Sequence, residues 1–422
     1  GLLSFFGSGG LPLDAIEAAL AKVSAEVGAG PWGFNLLHNP IEPDVEERTV
    51  DLYLKYGVKV VEASAYMGLT PAVVRFRTHG ITAGPDGRVV CPNRLFAKVS
   101  RPEVAEKFLR PPPADLLEGL VGRGELTPAQ AELARRIPVA EDVTAEADSG
   151  GHTDHRPLVV LVPSMLALRS RIAAEEGYKA RGISLRIGAA GGLGTPSAIH
   201  AAFALGADYV LTGSVNQATI EAGTSPLAKE MLTQAGWWEV ASGPAPDMFE
   251  IGAKVQVLAR GSMYAQRAQR LYDLYKAYDD LDAIPASERE RIEKQIFRRP
   301  LADVAADTRA YWVERDPRQV KRMDEDPHHR MALVFRWYLG MTSRWARTGD
   351  EDRKRDFQMW CGPAMGAFNE WVKGSGLEPL SARTIPAIAS ALMRGAAIQL
   401  RVELARAQGL PVPDGIDRPS AA

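Results

Sequence analysis

Two glycine-rich segments in the middle of the chain are suited to binding a phosphate group. Each begins as a short apolar run, and the first, residues 187–196, then leads into a predicted helix. A glycine lacks Cβ, so backbone N–H groups can approach an anion closely, and the first turn of a helix carries partial positive charge. The alternative interpretation is that both segments are ordinary tight turns. The candidate phosphate-binding residues are Gly191, Gly192, Gly194, Thr212, Gly213 and Ser214.

A histidine that follows two glycines is the candidate for acid–base chemistry. Residues 148–152 read Asp-Ser-Gly-Gly-His, and the two glycines would let the chain turn so that His152 points toward a substrate. An imidazole can take up or deliver a proton near neutral pH. The alternative is a loop histidine that faces solvent. Asp154 and His155 could join His152 around a metal ion, but this spacing is unspecific, so no metal is predicted.

Two further polar residues lie at or near the ends of apolar runs. Asn35 ends the run that begins at Gly33, and its carboxamide could donate to and accept from a heterocycle. A strand-ending turn residue is the alternative. Lys98 lies near the end of another apolar run, where a buried ammonium needs an anionic partner such as a cofactor phosphate or an anionic ring. A lysine that reaches solvent is the alternative.

Strands that alternate with helices would position these residues. Strands separated by helices form right-handed crossovers and a parallel sheet buried on both faces. A (β/α)8 barrel has eight such strands and carries its ligand-binding groups at their C-terminal ends. Because only seven strands are found, we predict an α/β fold of the TIM-barrel type whose first strand is missing from this sequence. An open doubly wound sheet is the alternative. The strands are predicted near Leu3, Phe34, Val60, Ala97, Thr144, Ile187 and Val210.

Composition narrows the classes of partner and the compartment. The 50 Lys and Arg residues against 52 Asp and Glu residues give a net charge of −2. This balance gives no electrostatic reason to expect nucleic acid or an anionic membrane as the main partner. The two cysteines, Cys91 and Cys361, are too few for a disulfide framework and suit a reducing compartment, so a cytoplasmic location is predicted. No apolar run is long enough to span a bilayer.

The sequence changes character after residue 252. Residues 253–347 are predicted to be nearly continuous helix, rich in Arg, Tyr and Trp, and residues 382–408 a final amphipathic helix. His328 and His329 are assigned to a solvated face of this region. We therefore predict a barrel domain over residues 1–252 and a helical substrate or lid domain over residues 253–422.

Several motifs resemble those of a known superfamily of flavin enzymes. The motifs Gly-Pro-Trp-Gly-Phe-Asn at 30–35, Gly-Val-Lys-Val-Val at 57–61, Asp-Ser-Gly-Gly-His at 148–152, Gly-Ala-Ala-Gly-Gly-Leu-Gly at 188–194 and Gly-Ala-Asp-Tyr-Val-Leu-Thr-Gly-Ser at 206–214 resemble the FMN-dependent nitronate monooxygenase and enoyl-ACP reductase barrels. Motifs at residues 246–258, 296–300, 335–340 and 360–369 resemble one branch. That branch is the enoyl reductase of polyunsaturated fatty acid synthases and trans-acyltransferase polyketide synthases.

This resemblance implies a site for FMN at the barrel mouth. The two glycine-rich segments would hold the phosphate, and Asn35 and His152 match residues beside the flavin ring. Asp148 matches an acidic residue of the Gly-Gly-His motif, and Lys98 near flavin N1 would favour the reduced anionic ring. NADPH or NADH would reduce FMN, and hydride would pass to the β-carbon of a 2-enoyl thioester on an acyl carrier protein. His152 or water would add the proton at the α-carbon.

The resemblance also implies partners and leaves two alternatives. The partners would be an acyl carrier protein and other polyketide or fatty acid synthase components, and a homodimer is left open. One alternative is a nitronate monooxygenase-type flavin oxidase of small molecules, which the large Arg- and Trp-rich second domain disfavours. The other is of a different class, a flavin-free sugar-phosphate barrel or a noncatalytic scaffold.

Overall fold

Two compact units make up the part of the chain that the structure describes. The structure is a computed structural model, and it describes residues 2–28, 30–38 and 42–416. The first unit consists of Gly1–Asp148, Asp154–Leu193 and Ala198–Leu211, and the second of Ser149–Thr153, Gly194–Ser197 and Thr212–Ala422. The second unit therefore includes two short segments that interrupt the first unit in the sequence. A boundary between a barrel domain and a helical domain at residues 252 and 253 stays a prediction.

A parallel sheet of seven strands forms the centre of the first unit. The strands of both units are β1 (Ser4–Phe6), β2 (Trp32–Leu37), β3 (Val60–Ser64), β4 (Thr82–Ala83), β5 (Val89–Val90), β6 (Arg94–Val99), β7 (Asp142–Glu146), β8 (Gly151–His152), β9 (Arg186–Ala190), β10 (Tyr209–Leu211), β11 (Val240–Pro244) and β12 (Lys254–Leu258). The sheet order is β1-β2-β3-β6-β7-β9-β10, and all neighbouring pairs are parallel. Every predicted strand position lies in or directly beside one of these seven strands. The predicted α/β barrel class is therefore confirmed, with seven parallel strands among the described residues.

Helices connect these strands and form most of the second unit. They are α1 (Leu13–Val27), α2 (Pro43–Lys55), α3 (Pro71–Thr78), α4 (Pro102–Leu109), α5 (Ala114–Gly122), α6 (Pro128–Ala134), α7 (Leu158–Glu175), α8 (Pro196–Ala204), α9 (Ser214–Gln217), α10 (Pro226–Thr233), α11 (Tyr264–Ala277), α12 (Ala286–Ile292), α13 (Leu301–Arg315), α14 (Pro317–Glu325), α15 (Pro327–Thr348), α16 (Pro363–Val372) and α17 (Ile385–Ala407). A π-helical turn, Glu293–Phe297, follows α12. Within the described residues, no helix combines the length and the apolar character needed to cross a membrane.

Side chains of neighbouring strands contact one another across the parallel sheet. The fully buried carboxylate of Asp142 lies between the guanidinium groups of Arg94 and Arg186, at 2.9 and 2.5 Å. Further along the strands, the Tyr209 ring occupies the space beside Gly188, because a Cβ at Gly188 would lie 2.1 Å from that ring. Such filling is characteristic of a barrel interior, so ligand-binding groups must come from the C-terminal ends of the strands.

The second unit combines helices with a small antiparallel sheet of order β11-β12-β8. The prediction of continuous helix from residue 253 was wrong for Lys254–Leu258, which form strand β12. Its Lys-Val-Gln-Val-Leu sequence alternates β-branched and polar residues, which is a strand pattern. The solvated face assigned to His329 was also wrong, since this side chain is buried and its Nε2 lies 2.9 Å from Gln319 Oε1.

Candidate active site

The Gly-Gly-His motif is built into the small antiparallel sheet of the second unit. Gly151 and His152 form β8 and pair with Gln256 and Val255 on β12. The edge of the His152 ring meets the Trp360 indole, with ring centroids 5.5 Å apart. Gly151 has φ +83°, and a Cβ there would lie 2.7 Å from the Trp360 ring. The glycine is therefore needed because the indole packs directly on the backbone beside the histidine.

An aspartate that the sequence did not single out is paired with His152. The Nε2 atom of His152 lies 3.1 Å from Oδ1 of Asp247. Burial would raise the pKa of Asp247, but the hydrogen bond and the charge of His152 outweigh burial and lower it. A carboxylate in this position fixes the orientation of the ring. The solvent-facing loop alternative is not supported, because the His152 side chain is 20% exposed and has this partner.

The two glycine-rich segments leave adjacent strand ends. Leu211 at the end of β10 is in register with Ala190 at the end of β9, and the candidate phosphate-binding residues follow each of them. Gly192 and Gly213 are exposed, and no atom lies within 4 Å of an ideal Cβ at either position. Within the described residues their N–H groups donate to no acceptor. Open space beside exposed N–H groups fits an anion such as a flavin phosphate.

The other members of the glycine set pack against the protein itself. A Cβ at Gly191 would lie 2.7 Å from the Ala147 carbonyl carbon, and a Cβ at Gly194 would lie 2.0 Å from the Ala364 carbonyl oxygen. These two glycines permit close backbone packing, so their contribution to a phosphate site would be through their N–H groups. The sequence did not distinguish these positions from Gly192.

The hydroxyl groups that follow β10 are partly used inside the second unit. Oγ of Ser214 accepts a hydrogen bond of 3.0 Å from the N–H of Gly362. Oγ1 of Thr212 accepts a hydrogen bond of 3.3 Å from Nδ2 of Asn216. Each hydroxyl still has its own proton to donate, so both remain suitable for a phosphate oxygen.

Asn35 and Lys98 belong to one polar cluster in the first unit. Nδ2 of Asn35 donates to Ser64 Oγ at 2.8 Å and to Glu62 Oε2 at 3.3 Å. Nζ of Lys98 donates to Glu146 Oε1 at 2.6 Å and lies 4.0 Å from Glu62 Oε1. The anionic partner expected for Lys98 is therefore supplied by the chain itself. Lys98 and Glu146 lie at or next to the C-terminal ends of β6 and β7, whereas Asn35 lies inside β2. The prediction that Asn35 ends its strand was therefore wrong, since β2 continues to Leu37.

Burial and charge have opposite effects in this cluster. Burial raises the pKa of Glu62, despite the nearby charge of Lys98 and the hydrogen bonds from Asn35 and Ser64. Burial alone would lower the pKa of Lys98, but the charges of Glu146 and Glu62 outweigh it and raise the pKa. Lys98 therefore stays protonated between two carboxylates. Its role toward a flavin stays a prediction.

Asp148 and the two residues that were considered with His152 as metal ligands have other partners. Oδ1 of Asp148 lies 2.8 Å from Nδ1 of His155. Two hydrogen bonds from Arg101 to Asp154, at 2.9 and 3.2 Å, contribute to a pKa of about 2 for that carboxyl. In the part of the chain that the structure describes, no group of three or more His, Cys, Asp or Glu side chains could hold a metal ion. The metal alternative therefore has no geometric support.

Sequence reasoning missed four residues that contact the predicted ones. Asp247 and Trp360 lie within the motifs at 246–258 and 360–369, whose resemblance gave the only signal. Glu62 and Glu146 could have been found from the sequence, since each is a charged residue within or at the end of a predicted strand.

Cys361, next to Trp360, is unsuited to nucleophilic chemistry because burial raises the pKa of its thiol to about 12.

A solved enoyl reductase domain is similar to almost the whole chain. It is the enoyl reductase domain of MlnA, from the macrolactin biosynthesis cluster of Bacillus amyloliquefaciens. The two chains are 38% identical with a TM-score of 0.91, and the match covers 96% of this chain and 90% of that one. The chain belongs to the MlnA enoyl reductase family. The resemblance inferred from the sequence motifs is thereby confirmed.

Longer biosynthetic proteins contain regions similar to this member of the MlnA enoyl reductase family. A polyunsaturated fatty acid synthase protein of Thraustochytrium sp. is 45% identical over 410 residues, which cover 96% of this chain and 27% of that protein. The polyketide biosynthesis protein PksE of Bacillus subtilis is 44% identical over 401 residues, which cover 95% of this chain and 52% of PksE. This chain therefore matches about a quarter of the first relative and about half of the second. Residues 278–357 also match the family model of the inserted helical domain of acyl-carrier-protein S-malonyltransferase.

Proposed function

We propose that the chain is an FMN-dependent enoyl reductase of polyketide or polyunsaturated fatty acid biosynthesis. Its substrates would be 2-enoyl thioesters carried by an acyl carrier protein, and NADPH would be the reductant, with NADH as the alternative. The observation that carries the proposal is the TM-score of 0.91 and 38% identity to a solved enoyl reductase domain. The polyketide and fatty acid synthase relatives support the class of pathway.

The proposed FMN contacts are the residues that the sequence singled out. The open positions at Gly192 and Gly213 and the hydroxyl groups of Thr212 and Ser214 are the proposed phosphate contacts. Asn35, Lys98 and His152 are the proposed contacts of the ring, and Asp148 would shape the loop before the histidine. Bound flavin would supply the hydride that the β-carbon of the substrate receives.

His152 is the proposed source of the proton for the α-carbon. Its Nε2 atom is held by Asp247, so Nδ1 is the ring nitrogen that remains for the substrate. Asp247 therefore orients the ring so that Nδ1 would deliver the proton to the α-carbon. The T-shaped contact with the Trp360 indole would limit rotation of the ring. These contacts would orient the acid before the thioester arrives.

Turnover of a small thioester tests the activity without a carrier protein. Purified protein would be incubated anaerobically with NADPH and crotonyl-N-acetylcysteamine, and butyryl product would be measured by mass spectrometry. Product above the level without enzyme is expected. Absence of product, together with flavin-dependent consumption of a nitroalkane in air, would favour the oxidase instead. A protein that never takes up flavin would contradict both activities.

A pair of glycine variants tests the phosphate site. Gly192→Leu places a side chain in the open space beside the exposed N–H, and the Kd for FMN is expected to rise by at least about tenfold, equivalent to ~1.4 kcal/mol of binding, so that flavin content after purification falls. Gly177→Leu is the matched control, since Gly177 has a similar φ of +63° and equally open surroundings. The control carries the same backbone strain and should retain flavin. Equal flavin content in the two variants would contradict the assignment.

A further inference from the structure

A basic groove lies among the helices of the second unit. It has a volume of about 560 Å³, and its lining includes the apolar side chains of Met263, Ile292 and Ile296. Its lining contains no acidic residue among the described residues. Six cationic side chains line it, and these are called the basic groove residues: Arg267, Arg270, Arg291, Lys294, Arg298 and Arg355.

Half of these cations have no carboxylate partner. Asp356 pairs with Arg267, and Glu288 pairs with Arg270 and lies 3.8 Å from Arg291. Lys294, Arg298 and Arg355 are exposed and form no ion pair with any described residue. A chain with a net charge of −2 therefore carries a local excess of positive charge at this groove. Such an excess attracts an acidic partner.

The backbone beneath the groove is an unusual turn that is held in place. The π-helical turn Glu293–Phe297 ends at Arg298, whose φ of +56° is rare for a residue other than glycine. Nη1 of Arg353 donates to the Ile296 carbonyl oxygen at 2.8 Å, and its Nη2 donates to the carbonyl oxygen of Phe297. Because these carbonyl groups are satisfied, the turn presents Lys294 and Arg298 on a preorganised support.

We propose that the basic groove docks an acidic helical surface of the acyl carrier protein that delivers the enoyl thioester. This inference rests on the proposed function, in which the substrate is carried by an acyl carrier protein. Charge complementarity supports it, because the groove is lined by three cations without an ion-pair partner and by apolar side chains. Most of the groove also lies within residues 278–357, which match the inserted helical domain of an enzyme that acts on the same kind of carrier.

Charge reversal at exposed positions tests the proposal. Lys294→Glu, Arg355→Glu and the double variant would be compared with Arg394→Glu and Arg401→Glu, which reverse exposed charges on α17 outside the groove. Arg298 is left intact because it also donates to the Asp352 carbonyl oxygen. Each variant would be assayed with crotonyl-loaded acyl carrier protein and with crotonyl-N-acetylcysteamine, at low and at high salt.

The carrier-bound substrate alone should respond. Each groove substitution is expected to raise KM for the loaded carrier protein by about 3- to 10-fold at low salt, and the double variant by more. The increase should shrink at high salt, since exposed charges are screened. For the groove variants, kcat/KM with the small thioester should stay within about twofold of the value for the unaltered protein. The same limit applies to both α17 control variants. An unchanged KM for the carrier in the double variant would overturn the proposal.

Direct binding separates this inference from the proposed activity. Fluorescence anisotropy of a labelled acyl carrier protein reports docking even if no thioester is reduced. Binding that is lost in the double variant supports the groove, and failure of turnover with the small thioester would count against the reductase alone. Labelled single-stranded DNA that binds the groove while the carrier protein does not would overturn the proposal.

Discussion

Removal of the Lys98 ammonium should destabilise the first unit in a pH-dependent way. Lys98→Met deletes the cation that lies 2.6 Å from Glu146 and 4.0 Å from Glu62. Both carboxylates stay buried, with side-chain exposures of 14% and 9%. A buried carboxylate that loses its cation is costly, and it is relieved when a proton is taken up.

The size of the effect follows from that proton. Keeping one carboxyl group protonated at pH 7 costs about 1.4 kcal/mol for each pH unit above its ordinary pKa of about 4.3. The expected loss in the free energy of unfolding is therefore about 3–4 kcal/mol at pH 7 and about 1 kcal/mol at pH 5. Burial already raises the pKa of Glu62, so the folded variant binds more protons than the unfolded chain. This difference sets the sign of the pH dependence of stability. Its stability is highest at low pH and falls as pH increases.

Native-state hydrogen exchange, followed by mass spectrometry, measures this unit separately from the other. Peptides covering Arg94–Val99 and Asp142–Glu146 would report the free energy of opening at pH 5 and pH 7, after correction for intrinsic exchange rates. Lys59→Met is the matched control because Lys59 is exposed and precedes β3 in the same unit. The double variant Lys98→Met, Glu146→Gln should recover part of the loss, since it removes the carboxylate closest to the ammonium while Glu62 stays without its cation.

The pH dependence and the double variant decide the outcome. A loss of equal size at pH 5 and pH 7 would show that packing of the lysine stem, and not charge compensation, stabilises the cluster. A double variant no more stable than Lys98→Met would refute the claim that Glu146 is the partner that needs the cation. Either result would contradict the electrostatic reasoning.

Three further predictions concern positioning, packing and acid stability. Asp247→Asn should lower the rate constant for thioester reduction by about 10- to 100-fold with flavin content unchanged, measured by anaerobic turnover, and an unchanged rate would exclude a role for the pair. Gly194→Ala should lower the stability of the second unit by about 2–3 kcal/mol because its Cβ would meet a backbone carbonyl. Gly119→Ala is the control, since the space beside Gly119 is open and the substitution should not destabilise the protein. Thermal unfolding compares the two variants. Asp154→Asn should lower the free energy of unfolding by about 1 kcal/mol at pH 7, after allowance for solvent screening. Arg101 holds the pKa of Asp154 near 2, so this contribution is present above pH ~4 and lost as pH falls through about 2; a difference that persists at pH 2 in acid titrations would contradict it.

The strands of the parallel sheet were predictable because each leaves a strong local signal. Short β-branched runs such as Val60–Ser64 end in turns and alternate with amphipathic helices, which indicates parallel strands directly. Lys254–Leu258 was mistaken for helix because long helical stretches follow it. Its five residues are too few for periodicity to outweigh that context.

The site was predictable only in part, because its key contacts are distant in sequence. The Gly-Gly-His motif indicated a turn that presents His152 toward a substrate, but its contacts Asp247 and Trp360 lie about 100 and 200 residues further along the chain. No local pattern connects such positions. Lys98 was correctly expected to need an anion, yet the sequence could not show that Glu146 provides it, because that depends on the register between β6 and β7.

The pairing of β8 with β12 sets an order of events when the chain is synthesised. Gly151 cannot meet Gln256 until roughly 100 more residues have left the ribosome, which takes about 5–20 s at ordinary elongation rates. All seven parallel strands precede that moment in the sequence. A nascent or truncated chain that ends between residues 212 and 253 can therefore contain the whole parallel sheet while the strand bearing His152 still has no neighbour to order it.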